Sequence, residues 1–384
     1  MKNSLQLAND FLYHSIKGRY LILEQIEVFL NTLHEGFTIQ EIGKSELGNK
    51  ISSITFGHGT TKILIWSQMH GNESTTTKGL IDFLNYCNKD TTYFQFLCSN
   101  FTFAIVPMLN PDGAQLYTRE NANKVDLNRD ALNCSQAESK VLRNLVEIFK
   151  PDFCFNLHDQ RTIFGIIETK KPATMSFLTA AYNESREFNT TRIKAAQVIN
   201  GIVKNLEEFI PGQIGRFDDT FNLNCTGDYF TNKGIPTILF EAGHFKDDYE
   251  RDIVRKYVFI SLQSAIYHIN ENDVVKNVLE NYLNIFQNNK CFVDIIFKNV
   301  KIIENNVEKN INFAVQFTEV LKNNGIDFEA RIYEVDILSS LFGHREYDGL
   351  GELFSSSYGE VPQIGEKADF YIGENQFVNG KLVD

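Results

Sequence analysis

Four short, nearly unbroken apolar runs in this chain each end in a cluster of reactive polar residues. KILIWSQM (62–69) leads into His70-Gly71-Asn72-Glu73, and FTFAIVPM (101–108) leads into Leu109-Asn110-Pro111-Asp112-Gly113. DFCFNL (152–157) leads into His158-Asp159, and IPTILF (235–240) into Glu241-Ala242-Gly243. Apolar runs of this length without alternation fit strands covered on both faces, as in sheets whose crossovers are helices. Helical periodicity fills the intervals, over 74–88, 136–150 and most of 172–209. The expected fold is α/β, with a mixed, mostly parallel central sheet flanked by helices. In such open sheets, sites form beyond the carboxyl ends of the strands. Four distant segments can therefore deliver their polar residues to one pocket.

The rest of the chain frames this core. Residues 3–34 read as a helical lead-in, within an expected N-terminal stretch 1–34. FTIQEIG (37–43) and ISSITFG (51–57) alternate apolar and polar residues, as half-buried strands do, and the KSELGNK between them reads as a turn. A long helix is expected over 247–270, then a helical connector over 271–290. Beyond it, 291–299, 328–336 and 367–373 are strand-like, and 309–325 reads as helix-like. The expected division is a catalytic domain over 1–285 and a small α+β accessory domain over 286–384.

Charge and composition limit the partners. The 49 acidic residues outnumber the 37 basic ones, for a net charge of -12. Nucleic-acid backbones need the opposite surplus, so no nucleic-acid partner is expected. An anionic substrate would have to be caught by a few locally placed arginines. MKNSLQLANDFLYHS contains no apolar core of signal-peptide length, and no run of 18 apolar residues occurs. The six cysteines are scattered without a CxxC pair. A cytoplasmic protein with reduced thiols and no membrane partner is expected.

The polar clusters carry a specific chemistry. His70 and Glu73 stand three apart at a strand-to-helix junction, a spacing that lets both reach one ion. Zinc accepts His nitrogen and carboxylate oxygen, and a catalytic site keeps one of four positions for water. His158 is the best-placed residue to complete a His2Glu set. Between 119 and 130, Arg119 and Arg129 suggest anion recognition in an otherwise acidic chain, since Arg forks bind carboxylates in bidentate fashion. Glu241 ends a buried strand and suits a general base that then acts as an acid.

Together, HGNE, NPDG, Arg119 followed by DLNRD, LHD and FEAG resemble the zinc carboxypeptidases, peptidase family M14, over roughly residues 35–270. The resemblance implies one Zn2+ per chain, held by His70, Glu73 and His158. It implies Glu241 as the general base and Arg119 as the group that polarises the scissile carbonyl. It implies Asn128 and Arg129 as the clamp on the substrate's terminal carboxylate, and Asp126 as the acid that holds the first zinc-binding His. Asp112 reads as a turn-shaping residue.

One departure from the family is a missing tyrosine about twenty residues before the catalytic Glu. Thr220 and Phe221 stand nearest that place, and Tyr229 would replace it only in a rearranged loop. Arg216 is a spare cation in the same loop, either a reader of an acidic group or a partner of Asp218 or Asp219. His244 reads as a support near the pocket or a surface residue. The expected function is zinc-dependent hydrolysis of an amide next to a free carboxylate, by a cytoplasmic metallocarboxypeptidase or murein-peptide-type amidase acting on small peptides. The alternative is an N-acyl amino acid deacylase of the aspartoacylase/succinylglutamate desuccinylase kind. That branch shares HGNE, DLNR and a late Glu, and carries a small β domain after the catalytic one. A third reading is a binding protein that keeps the pocket without turnover.

Overall fold

The computed structural model describes residues 4–271, 276–336, 338 and 340–383, so residues 272–275 of the expected connector lie outside it. The chain forms two compact units: residues 1–160 with 173–288, and residues 161–172 with 289–384.

In chain order the first ten strands are β1 (Thr38–Lys44), β2 (Lys50–Gly57), β3 (Thr61–Ser67), β4 (Phe101–Val106), β5 (Phe153–Asp159), β6 (Phe164–Ile166), β7 (Lys171–Pro172), β8 (Met175–Thr179), β9 (Ile214–Arg216) and β10 (Thr237–Ala242). All but β6 and β7 form one sheet, in the order β1-β2-β4-β3-β5-β10-β8-β9. Strands β4, β3, β5 and β10 are mutually parallel. β2 runs antiparallel to β1 and β4, and β8 runs antiparallel to β10. The sheet is mixed and its centre is parallel, as the apolar runs require. On β3, Ile63 and Ile65 join one core cluster while Leu64 and Trp66 join another. Alternate residues point to opposite faces, so this strand is covered on both.

The helices are α1 (Ser4–Asp10), α2 (Leu23–Leu30), α3 (Thr75–Lys89), α4 (Thr91–Asn100), α5 (Pro111–Leu116), α6 (Ala137–Phe149), α7 (Thr190–Leu206), α8 (Thr226–Asn232), α9 (Val254–Glu271) and α10 (Val278–Leu283). α3 leaves the end of β3 and is buried almost throughout, from Thr75 to Cys87. The structure corrects several expected boundaries. The lead-in is two helices with a non-helical stretch between them, where Gly18 has φ +71° and Ile22 is extended. The stretch 172–209 begins with β8, whose five residues MSFLT are all buried, before α7 starts. The helix expected from 247 starts at Val254, because the Asp248 carboxylate accepts the N–H groups of Asp252, Ile253 and Val254 and caps it there.

The second unit is built from strands. β6 pairs with β7 and with β11 (Asn289–Lys290). β12 (Phe292–Glu304), β13 (Val307–Lys322), β14 (Gly325–Val335) and β15 (Phe342–Asp348) form a sheet in the order β14-β13-β12-β15. β16 (Phe354–Ser356), β17 (Phe370–Ile372), β18 (Asn375–Val378) and β19 (Lys381–Leu382) form a second one. Phe297, Phe313, Phe354, Phe370 and Phe377 fill the core shared by the two sheets. No helix occurs among the described residues of 289–384, so the α part of the expected α+β accessory domain is absent there. The segment 309–325 falls almost wholly within β13. Ile311, Phe313, Val315 and Phe317 alternate, and this period of two places the first three in the core. The same residues taken two at a time have a spacing of four, which reads as helical. No helix among the described residues is long and apolar enough to cross a membrane.

Candidate active site

The chain turns sharply after β3. Gln68 takes φ +49°, and its side-chain amide donates to Leu21 O and Gly71 O. A Cβ on Gly71 would lie 1.9 Å from the Gly113 carbonyl carbon, so only glycine lets HGNE lie against NPDG. Asn110 caps α5 by accepting from Gly113 N and donates its own amide to Met69 O, the residue before His70. Asp112 accepts from Ser45 Oγ, Leu47 N and Asn49 Nδ2 and so holds the β1–β2 turn. The NPDG segment thus supports the loop that presents His70 and Glu73.

His70, Glu73 and His158 come together, with ligand atoms all within 4.8 Å of one another and all three side chains buried. Glu73 Oε1 lies 2.8 Å from His70 Nδ1, and Oε2 lies 2.8 Å from His158 Nδ1. His70 Nδ1 and His158 Nδ1 are 3.1 Å apart. On its far side, His70 Nε2 meets Asp126 Oδ1 at 2.9 Å. That carboxylate makes Nε2 the protonated nitrogen and leaves the Nδ1 lone pair facing Glu73 and His158. Lone pairs on two imidazoles and a carboxylate, crowded at these distances away from water, repel unless a cation lies among them. The donor set of two nitrogens and a carboxylate fits zinc.

The electrostatics agree with that reading. Burial alone would raise the Glu73 carboxyl, but His70 and His158 outweigh it and hold it well below the usual carboxylate range. Burial also acts to raise Asp126, but its hydrogen bond with His70, together with the charges of His70, Arg119 and Arg129, outweighs it and holds the carboxyl below the usual range. Glu241 shifts the other way. Burial pushes its carboxyl well above the ordinary value, and the neighbouring charges of Glu73 and Asp159 add to the effect.

Glu241 reaches the site through strand register. On parallel strands it sits directly beside His158, with Ser176 as its neighbour on the other side. Arg119 is partly exposed and bridges the site: Nη1 lies 3.1 Å from Glu73 Oε1 and Nε 3.1 Å from Asp126 Oδ2. Asp126 also accepts from Asn128 N, which starts the short turn Leu127–Arg129. Asn128 Oδ1 accepts from Thr226 N at 2.9 Å, so its NH2 end is the one left to face a ligand. Arg129 is exposed, and its Nη1 donates to Asn128 O. No sequence signal marked Thr226, because it acts through its backbone.

The remaining residues from the sequence fall outside this cluster. Arg216 aligns with Phe177, and Phe177 with Phe240, one residue out of step with Glu241. It therefore points to the opposite face of the sheet, where its guanidinium lies 5.6 Å from the Tyr282 ring. Tyr229 sits on α8 with the Arg143 guanidinium 4.4 Å over its ring. Thr220 N donates to the Asp218 carboxylate within its own turn. His244 is fully buried with its ring 4.7 Å from that of Tyr249, so it is not a surface residue.

Residues 24–198 match the model of the zinc carboxypeptidase family. A carboxypeptidase 2 of Trichophyton rubrum is 25% identical over 126 residues, covering 30% of this chain and 23% of its own length. Carboxypeptidase SOL1 of Arabidopsis thaliana is 36% identical over 87 residues, covering 19% of this chain and 18% of its own. The match thus spans less than a quarter of either relative. Among solved structures, a metallo-carboxypeptidase from Burkholderia cenocepacia superposes with a TM-score of 0.52 at 16% identity, over 65% of this chain and 70% of that one. One from Pseudomonas aeruginosa, solved in complex with (2-guanidinoethylmercapto)succinic acid, gives a TM-score of 0.52 at 17% identity, over 65% and 68%. At these identities the structural likeness is one of fold.

Proposed function

We propose, from the match of residues 24–198 to the zinc carboxypeptidase family model and from the geometry of the site, that this chain is a zinc-dependent hydrolase cleaving an amide bond next to a free carboxylate. The observation that carries this reading is the convergence of His70, Glu73 and His158 within 4.8 Å, with Glu241 in register beside His158. Zinc bound by these three residues supplies Lewis acidity and a water whose pKa falls to about 7.

The chain's own residues do the rest. Asn128 and Arg129 hold the substrate's terminal carboxylate and thereby fix where the scissile amide lies. Glu241 accepts a proton from the attacking water at its carboxylate and delivers it to the leaving nitrogen. Its raised pKa brings it closer to the operating pH than an ordinary carboxylate. Arg119 lies at the edge of the cluster and stabilises the charge that develops on the carbonyl oxygen. Asp126 holds both His70 and Arg119, which couples the metal ligand to the oxyanion partner.

The test is product analysis by mass, with zinc and with a chelator, on mixed peptides, murein peptides and N-acyl amino acids. Chelator-sensitive release of C-terminal residues is the expected result. Glu241→Gln should keep zinc and lose roughly 10²–10⁴-fold in kcat. Absence of turnover across the panel with stoichiometric zinc would refute hydrolysis of these substrates and favour a silent binding site. The deacylase alternative stays open because the second unit is made of strands, as that branch's small β domain would require. Chelator-sensitive release of a small acid from N-acyl amino acids would move the assignment there.

A further inference from the structure

We propose that Arg251 is a positioning residue that clamps the strand ends carrying Glu241 and His158. Its catalytic meaning rests on the hydrolase reading above. Arg251 is fully buried. Its Nη1 donates to Ala242 O at 3.0 Å and also to Gly243 O, and its Nη2 donates to Gln160 O at 2.9 Å. Ala242 follows Glu241 directly, and Gln160 lies two residues after His158. The parallel ladder pairs Glu241 with His158 and Ala242 with Asp159, and Gln160 N donates to Ala242 O at 2.8 Å as its last rung. Beyond that rung the strands have no ladder left, and the guanidinium fork continues it through side-chain donors.

The surroundings are built to hold that fork. Arg251 takes φ +60°, an unusual conformation for a side-chain-bearing residue, and lies three residues before the start of α9, which Asp248 caps. A Cβ on Gly243 would lie 1.9 Å from Ala173 O and 2.5 Å from Gln160 Nε2. Gln160 in turn donates to Ala173 O at 2.6 Å and accepts from Asn288 Nδ2 at 2.7 Å. Arg251 is thus linked through backbone carbonyls to both strand ends on which the proposed general base and metal ligand depend. A displacement of about 1 Å in such geometry can cost on the order of 10²-fold in rate.

The test uses the full chain with Arg251→Met and Arg251→Lys, each loaded with zinc to the wild-type stoichiometry. Three readouts are taken: kcat and KM on the substrate found for the wild type, zinc affinity by chelator competition, and hydrogen exchange of single amides. The expected result for Arg251→Met in the zinc-loaded protein is a kcat lower by about 10- to 100-fold with KM within about twofold, and a weakened zinc affinity because His158 is held less firmly. Arg251→Lys, which keeps the charge and loses the fork, falls between. Exchange at the Gln160 and Gly243 amides speeds up, while that at Leu157 and Phe240 stays protected. Wild-type kcat in a zinc-loaded variant overturns the proposal, as does unchanged exchange at Gln160 and Gly243. If the wild type turns nothing over, the hydrolase reading fails by itself, and exchange alone decides whether the clamp exists. If Arg251→Met does not fold, Arg251→Lys is read in its place. Failure of both to fold makes Arg251 a folding element and overturns the positioning role.

Discussion

Asp126→Asn is the substitution that most directly tests how the proposed metal site is held. Asp126 Oδ1 receives His70 Nε2 at 2.9 Å and Asn128 N at 2.8 Å, while Oδ2 receives Arg119 Nε at 3.1 Å. An asparagine keeps the shape, and its single oxygen can still accept from His70 and from the Asn128 amide. Its NH2 group then faces the Arg119 guanidinium, donor against donor, and the negative charge that makes His70 a stronger ligand is gone. Removing such a support behind a metal-bound imidazole costs about 10- to 100-fold in metal affinity. That range corresponds to about 1.4 to 2.8 kcal/mol. Most of the loss should come through His70, because the side chain of Arg119 is 41% exposed and water compensates for part of that ion pair. The assay is competition for zinc against a chelator of known affinity, with thermal unfolding of the zinc-free protein as a control. A zinc affinity within twofold of wild type would refute the claim that Asp126 orients His70.

Two other perturbations test different parts of the molecule. Arg129→Met should raise KM by about 10- to 100-fold, the range expected for losing a charge-assisted hydrogen bond, and leave kcat much less affected. The same factor should appear when the wild type is given a substrate amidated at its carboxylate, and the two changes together should not multiply. Asp228 is pushed up to about 6 by burial on α8, above its ordinary 3.8. The folded state then holds the proton more tightly than the unfolded one, so this contribution is complete below about pH 4 and is lost as pH rises through 6. Urea unfolding should show wild type losing about 2 kcal/mol relative to Asp228→Asn between pH 4 and 7, and parallel profiles would exclude it.

The strands that carry the candidate site are legible in the sequence because each is apolar on both faces and stops at a reactive residue. His70, Glu73, His158 and Glu241 group together on sequence pattern alone, since sheet topology sends such strand ends to one edge. Elements whose identity depends on partners are harder to read. Met175–Thr179 is a strand because β10 offers it an antiparallel edge, which its own five residues do not advertise. β13 has a period of two that also satisfies a spacing of four, and only the facing aromatic core separates the alternatives. Arg216 looks available in the sequence and lies on the wrong face, because a one-residue step along a strand reverses its side. The Arg251 bonds to Ala242, Gly243 and Gln160 leave no sequence signal for the same kind of reason, since these acceptors are backbone carbonyls.

Residues 161–172 leave the strand of His158 immediately after Gln160 and belong to the second unit. There Gly165 pairs with Asn289 of β11, Ile166 is fully buried, and Thr162 bonds to Gln316 and His344. The two units are therefore interleaved in the gene and do not follow one another. A stop codon near position 289 would strip the hairpin of its neighbours and leave it, with Ile166, attached three residues past the proposed metal ligand His158. Moving the β unit to another chain therefore takes three junctions, after Gln160, before Ala173 and after Asn288.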